Sequence, residues 1–357
     1  MRLPRLFAGL ALASCTFGCT NASASLMPHL TTAADATPQS PTEAPATTGL
    51  KTYPLADGEP WVVFEGYETG APTKSIFLAR PDGSGAHTIA KDAPGEHLGP
   101  VWSPDGRRIA FVARDETTPS HDGIWLVDAD GSNAARLFDP RLPCPDGAFW
   151  PAWSPDGTKL SITCYVAGDS TLQVVDIATL AMTQVVSVKW PEFFNNPASW
   201  SPDGASLAFD VLHWDPTNSF IDGSLIDVVP SVGGNARPLT DGSSFASWPD
   251  WSPTGNRISY NTYTLGDMDT IPSVAQLLTI KSDGTDRSQL TAMTEIALRL
   301  GQARWSSDGL TLVTTLAHGN PKDWVEIAFV SASTGSVTTP ATSMLGARAD
   351  LRPGSHP

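Results

Sequence analysis

The chain predicts an all-β fold, a six-bladed β-propeller of four-stranded antiparallel blades, and three observations carry that expectation. A WSPDG motif, intact or with one or two changes, begins at Trp102, Trp153, Trp200, Trp251 and Trp305. The intervals are 51, 47, 51 and 54 residues, and self-similarity at about 40 to 50 residues marks blades repeated around an axis. Between the motifs run short apolar segments of strand character. One class of them recurs near Ile76, Ile124, Leu172, Leu225, Leu277 and Glu326, once for each of six blades over residues 50 to 341.

Each blade follows one order of elements. Strand A leads into the tryptophan, and the rest of the motif is turn chemistry. Proline presets φ, aspartate bonds to the amides that follow, and glycine accepts the left-handed conformation that ends the turn. Strand B follows at once, as Ile109, Ala110, Phe111 and Val112 do in the copy at Trp102. Strand C is the second apolar run and ends in another turn, as in IWLVDADGSN from Ile124 and LLTIKSDGTD from Leu277. A short strand D follows, for example Ala135 to Phe138. Trp102, Trp153, Trp200, Trp251 and Trp305 hold equivalent places, which is what packing between blades requires, and Asp105, Asp156, Asp203 and Asp308 are turn residues first.

The first blade lacks an intact motif, and Ala56-Asp57-Gly58 ahead of Trp61-Val62-Val63-Phe64 has the form of a worn copy. A ring must close. Either the segment before Asp57 or the tail from Ser343 to Leu351 supplies the closing strand, and the sequence does not choose between them.

The pattern WSPDG-x-x-[IL]-[AS]-[FY], followed by IWLVDADGSN, resembles the repeat of the TolB-like β-propellers, the family of the periplasmic component of the Tol-Pal envelope system. The resemblance covers most of the chain after residue 50. It implies a six-bladed propeller that binds proteins, a peptidoglycan-associated lipoprotein among them. The Tol-Pal component also carries an α/β domain before its propeller, and residues 21 to 50 are too few to supply one.

The expected layout is a lipoprotein-type signal peptide over 1–20, a flexible tether over 21–49, the propeller over 50–350 and a short tail over 351–357. Arg2 and Arg5 precede an apolar run from Leu6 to Ala13, too short for a membrane span and suited to a secretory signal. Leu12-Ala13-Ser14-Cys15 resembles a bacterial lipobox, which makes Cys15 the candidate for lipidation and Cys19 the second candidate. Thr16 stands where aspartate would signal inner-membrane retention, so the expected location is an outer-membrane lipoprotein facing the periplasm or the surface. The tether is mostly Ala, Thr, Ser and Pro and cannot bury a core. Cys144 and Cys164 flank one strand A to strand B hairpin in a chain bound for an oxidising compartment, and a disulfide between them is expected.

A net charge of −15 excludes nucleic acid, which needs clustered Lys and Arg. It favours a basic protein face as partner. The A to B and C to D turns are short, whereas the B to C and D to A connections are long and irregular, and variable loops on a rigid scaffold carry function. The candidate binding residues on that face are Trp190, Phe193, Phe194, His213, Trp214, Asp215, Asp267, Asp269 and Trp324. Aromatic rings beside carboxylates suit a protein hot spot or a carbohydrate platform. The alternative for Trp190, Phe193 and Trp214 is that they fold back to cap the propeller.

Enzyme readings find less support. There is no G-x-S-x-G elbow, and a prolyl-oligopeptidase-type site needs an α/β-hydrolase domain. His87, His97, His121, His213 and His318 are scattered without metal-ligand spacing, and Asp267-x-Asp269 lacks the glycine and distal glutamate of a calcium loop. No catalytic residue, metal or cofactor is assigned. The expectation is an exported, lipid-anchored, non-catalytic module that binds a protein in the cell envelope, with a carbohydrate-binding or carbohydrate-cleaving propeller as the alternative.

Overall fold

A computed structural model describes residue 59 and residues 61–115, 122–138, 144–194, 196–217, 220–263, 275–292, 298–300, 302–318 and 325–354. These residues form six antiparallel sheets and no helix. Blade II, with Glu96–Trp102, Arg108–Arg114, Gly123–Asp128 and Ala135–Arg136 in spatial order, shows the plan. Blade III repeats it with Ala148–Trp153, Lys159–Val166, Asp169–Asp176 and Met182–Val188, and blade V with Phe245–Trp251, Arg257–Tyr263, Gln276–Lys281 and Ser288–Gln289. In blades IV and VI the innermost strand is split in two, Glu192–Phe193 with Ser199–Trp200 and Leu298–Leu300 with Arg304–Trp305.

The core lies between blades. Six apolar clusters fill the six interfaces: one joins Ile76 and Leu78 of blade I to Trp102, Ile109 and Phe111 of blade II, and another joins Val112 and Ile124 of blade II to Trp153, Leu160 and Ile162 of blade III. Each large apolar side chain fully buried in these interfaces contributes about 1.5–3 kcal/mol. Three indoles also fasten neighbours by hydrogen bonds. Trp153 Nε1 donates to Val101 O at 3.3 Å, Trp200 Nε1 to Ala152 O at 3.1 Å and Trp305 Nε1 to Asp250 O at 3.2 Å.

The motif's remaining letters have local work. Ser103 Oγ donates to Asp105 Oδ1 at 2.6 Å and accepts from Arg108 N at 2.9 Å, while Asp105 Oδ1 accepts from Arg107 N at 3.1 Å. The same net recurs at Ser154 and Asp156, Ser201 and Asp203, and Ser306 and Asp308. Hydrogen bonds from Ser154 and the Thr158 amide draw the Asp156 carboxyl down to about 2. Where Thr254 replaces the aspartate, Asn256 enters the net. The glycine is fixed from two sides. Its φ is 64–75° in the five copies, and from the second copy on, a Cβ there would stand 3.2–3.9 Å from the proline of the preceding motif, or at Gly309 from Pro253.

Ala347–Leu351 closes the ring as the innermost strand of blade I, beside Val62–Tyr67, Lys74–Ala79 and His87–Ile89. Val62 pairs with Leu351 and Val63 with Asp350. Arg352 and Pro353 continue as a motif turn would. Arg352 Nε donates to Gly106 O at 3.0 Å, and Gly354 N donates to Ser307 Oγ at 3.0 Å. Leu351-Arg352-Pro353 therefore takes the places of Trp-Ser-Pro, and the blade structure reaches Gly354, beyond the expected boundary at residue 350. Ala56–Gly58, the expected worn copy, lies outside the described residues. Cys144 and Cys164 are joined in a disulfide, Cα atoms 5.1 Å apart, which ties the connection entering blade III to its second strand.

Candidate functional site

Two places gather polar and aromatic side chains: the axis of the ring and one projection from blade IV. On the axis, the chain bulges three residues before Trp102, Trp153 and Trp251. Gly99, Trp150 and Trp248 have φ of 58°, 58° and 54°, and Arg348, three before Leu351, has 53°. Strand register shifts at each of these points. The bulge turns backbone amides toward acids on neighbouring strands. Glu65 Oε2 accepts from Gly99 N at 2.7 Å, and Asp210 Oδ2 accepts from Trp248 N at 3.2 Å.

The side chains around the axis are bound to one another. Lys74 Nζ lies 2.8 Å from Glu65 Oε1, Arg348 Nε lies 4.0 Å from it, and the Arg348 guanidinium sits 3.6 Å from the centroid of the Trp150 ring. Burial pushes the Glu65 carboxyl up, but Lys74 and Arg348 together hold it below its usual value. Burial raises Asp210 to about 6 against the hydrogen bonds of Asn196 and Trp248 N. Asp250 is likewise raised to about 6 by burial, with Arg304 opposing, and Asp350 is raised for the same reason. Both of these acids also clasp the next blade: Asp250 Oδ2 accepts from Trp305 N and Asp350 Oδ2 from Trp102 N, each at 2.8 Å. The axial charges thus serve the ring.

Blade IV differs. Its second and third strands, Ser206–Asp215 and Phe220–Pro230, run ten and eleven residues, the longest pair among the described strands. Glu192–Phe193 pairs with Leu212–His213 of this hairpin, and Trp214 N donates to Pro191 O at 3.0 Å. The Trp190-Pro191 peptide is cis. Trp190 lies 6.2 Å from Trp214, the planes inclined by 38°, and 6.3 Å from Phe193. His213 Nδ1 donates to Asp222 Oδ1, and this hydrogen bond raises the imidazole above its usual value, with Glu192 and Asp215 adding to it.

Of the sequence candidates, Trp190, His213, Trp214 and Asp215 come together here, half-buried. Phe193 and Phe194 correct the expectation. They are 3% and 2% exposed: Phe193 lies on the short strand paired with Leu212, and Phe194, just past that strand, packs edge-on against Phe209 in the core at 5.3 Å. Asp267, Asp269 and Trp324, with Cys15, Cys19 and His121, lie outside the described residues. His87 and His97 bond to the Gly85 and Ala93 carbonyls. Asp222 is the member that the sequence reading misses. Its signal is its place opposite His213, where the register slips across the hairpin. Among the described residues no three His, Cys, Asp or Glu side chains are grouped to hold a metal.

Comparison with known proteins follows the fold. The TolB beta propeller domain family matches residues 108–347. Tol-Pal system protein TolB of Bordetella pertussis is 29% identical over 178 residues, which is 50% of this chain and 36% of that protein. Dipeptidyl-peptidase 5 of Porphyromonas endodontalis is 32% identical over 162 residues, 44% of this chain and 21% of that one. The chain thus spans well under half the length of either relative. The crystal structure of TolB from Acinetobacter baumannii superposes with a TM-score of 0.60 at 17% identity, covering 84% of this chain and 68% of that one.

Proposed function

The chain belongs to the TolB beta propeller domain family, and from that premise we propose that it is an exported, protein-binding module of the bacterial cell envelope. One observation carries the reading. The polar groups on the axis are consumed in holding the blades together, whereas half-buried tryptophans and accessible charge meet on the blade IV projection, where the long connections lie. Aromatic anchors with a polar rim are the anatomy of a protein hot spot. The stretch shared with a Tol-Pal system protein supports an envelope location.

A pull-down from cross-linked envelope extract, with the tagged chain as bait, tests this. It is expected to recover a protein, and the Trp190→Ala, Trp214→Ala double variant is expected to weaken that binding at least tenfold, since hot-spot truncations cost about 2 kcal/mol or more. Recovery of no protein together with a hit on a glycan array would replace the reading with the carbohydrate one, for which two inclined indoles would be the platform.

The proposal extends to anchoring through Cys15, with residues 21–49 as the tether. Multiple acyl chains hold a protein firmly where one alone binds marginally. Cys15→Ser is expected to move the exported chain from the membrane to the soluble fraction, and Cys19→Ser to leave it in place. The reverse result would transfer the anchor to Cys19.

A further inference from the structure

We infer that the blade IV projection takes a lysine- or arginine-bearing segment of its partner, the cation lying against Trp190 and Trp214 with its charge on Asp222, in the place that His213 holds in the free protein. The inference rests on the protein-binding reading and specifies its chemistry. Trp190 and Trp214, 6.2 Å apart and inclined by 38°, form an apolar corner. A cation within about 6 Å of an indole face is attracted by the ring, and arginine is the commoner partner. This chain uses that contact repeatedly inside itself, with Arg348 over Trp150 at 3.6 Å, Arg80 over Trp61 at 4.9 Å and Arg108 over Trp153 at 5.3 Å.

Charge decides the sign of the guest. Asp222 is 36% exposed and His213 42%, so both meet solvent at the corner. Glu192 on the paired short strand and Asp215 on the hairpin's own strand are the other charges that act on His213, and both are acidic. A formal net charge of −15 steers the same class of partner toward the molecule.

The His213–Asp222 contact makes binding a competition. In the free protein, at pH below the titration of His213, the protonated imidazole neutralises Asp222. An arriving ammonium or guanidinium takes over that carboxylate and places a second positive charge beside the imidazolium, which then releases its proton to solvent. Binding therefore releases protons, and affinity rises as pH climbs through the titration of His213.

The test uses the full exported chain and three synthetic peptides that alternate glycine with lysine, norleucine or glutamate, followed by tryptophan fluorescence and calorimetry at pH 5.5 and 8.0. The lysine peptide is expected to bind at least fivefold more tightly at pH 8.0, and the norleucine and glutamate peptides at least tenfold more weakly than lysine. Asp222→Asn is expected to lose fivefold or more at pH 8.0. His213→Gln is expected to bind equally at both pH values. Equal binding of lysine and norleucine, or an unchanged pH dependence in His213→Gln, would overturn the inference. An Asp222→Asn bait that still captures the envelope protein at full strength would overturn it and leave the protein-binding reading standing, whereas a wild-type bait that captures none removes that reading.

Discussion

Replacing Glu65 with alanine is expected to cost the propeller about 3–5 kcal/mol, the penalty for removing one partner of a buried ion pair. Glu65 is 1% exposed, and Lys74 and Arg348 beside it are each 7% exposed. Taking away the carboxylate removes the acid that Lys74 and Arg348 share in the buried site and leaves the Gly99 amide without its carboxylate acceptor. The damage would not be local. Lys74 belongs to blade I, Gly99 to blade II, and Arg348 to the strand that closes the ring. Glu65→Gln keeps an acceptor for Gly99 N and loses only the charge, so it is expected to fall between alanine and wild type. Urea unfolding at pH 7 reads both variants. A loss below about 1 kcal/mol for Glu65→Ala would mean that the cations find water or new partners, and the axial network would not hold the ring.

The second large effect is on pH. Asp210 and Asp250, both raised from 3.8 to about 6, bind their protons more tightly folded than unfolded. Such groups contribute stability that is fully present below pH 3.8 and lost as pH rises through about 6. Asp350 is raised as well and acts in the same sense. Glu65 works oppositely: its carboxyl is lowered from 4.5, so its contribution is present above that pH and lost in acid. Stability should therefore peak on the acid side of neutrality, near pH 5, and decline toward pH 8. A shift of about two units corresponds to about 3 kcal/mol for each of Asp210 and Asp250 at most. Asp210→Asn removes one ionisation while keeping an oxygen for the Trp248 amide. It is expected to flatten the decline and to stabilise the protein at pH 8 by about 1–3 kcal/mol. A variant less stable than wild type at pH 8 would show that the charged form of Asp210 is the one the fold requires.

Much of the architecture was legible in the sequence because each letter of WSPDG answers a local demand that recurs in every blade. Tryptophan fills an interface, serine and aspartate tie the turn, and proline abuts the next glycine. The closing strand was only half legible: the sequence offered Ser343 to Leu351 as one of two candidates and did not choose. At Leu351-Arg352-Pro353 the demand is the same, but leucine fills the tryptophan's place and arginine reaches the Gly106 carbonyl where serine would bond within its own turn. The axis was illegible for another reason. Gly99, Trp150, Trp248 and Arg348 share a backbone conformation but range from glycine through tryptophan to arginine, so no single residue type announces them. On blade IV the composition pointed to the right connections but could not sort their faces. Phe193 and Phe194 read as loop aromatics, but Phe193 sits on a paired strand and Phe194 packs on Phe209 in the core, and Asp222 acquires meaning only from the hairpin register that sets it against His213.

The pairing of Val62 with Leu351 bears on cooperativity. A linear repeat protein has terminal units with one neighbour each, needs polar caps over them, and has a stability that is roughly a sum over units. Here the first and last described strands belong to one blade, so every blade has two neighbours and none is a cap. No blade can melt from an end without first releasing that pairing. The six units are in this sense a single cooperative body, and the eight residues from Ala347 to Gly354 fasten it.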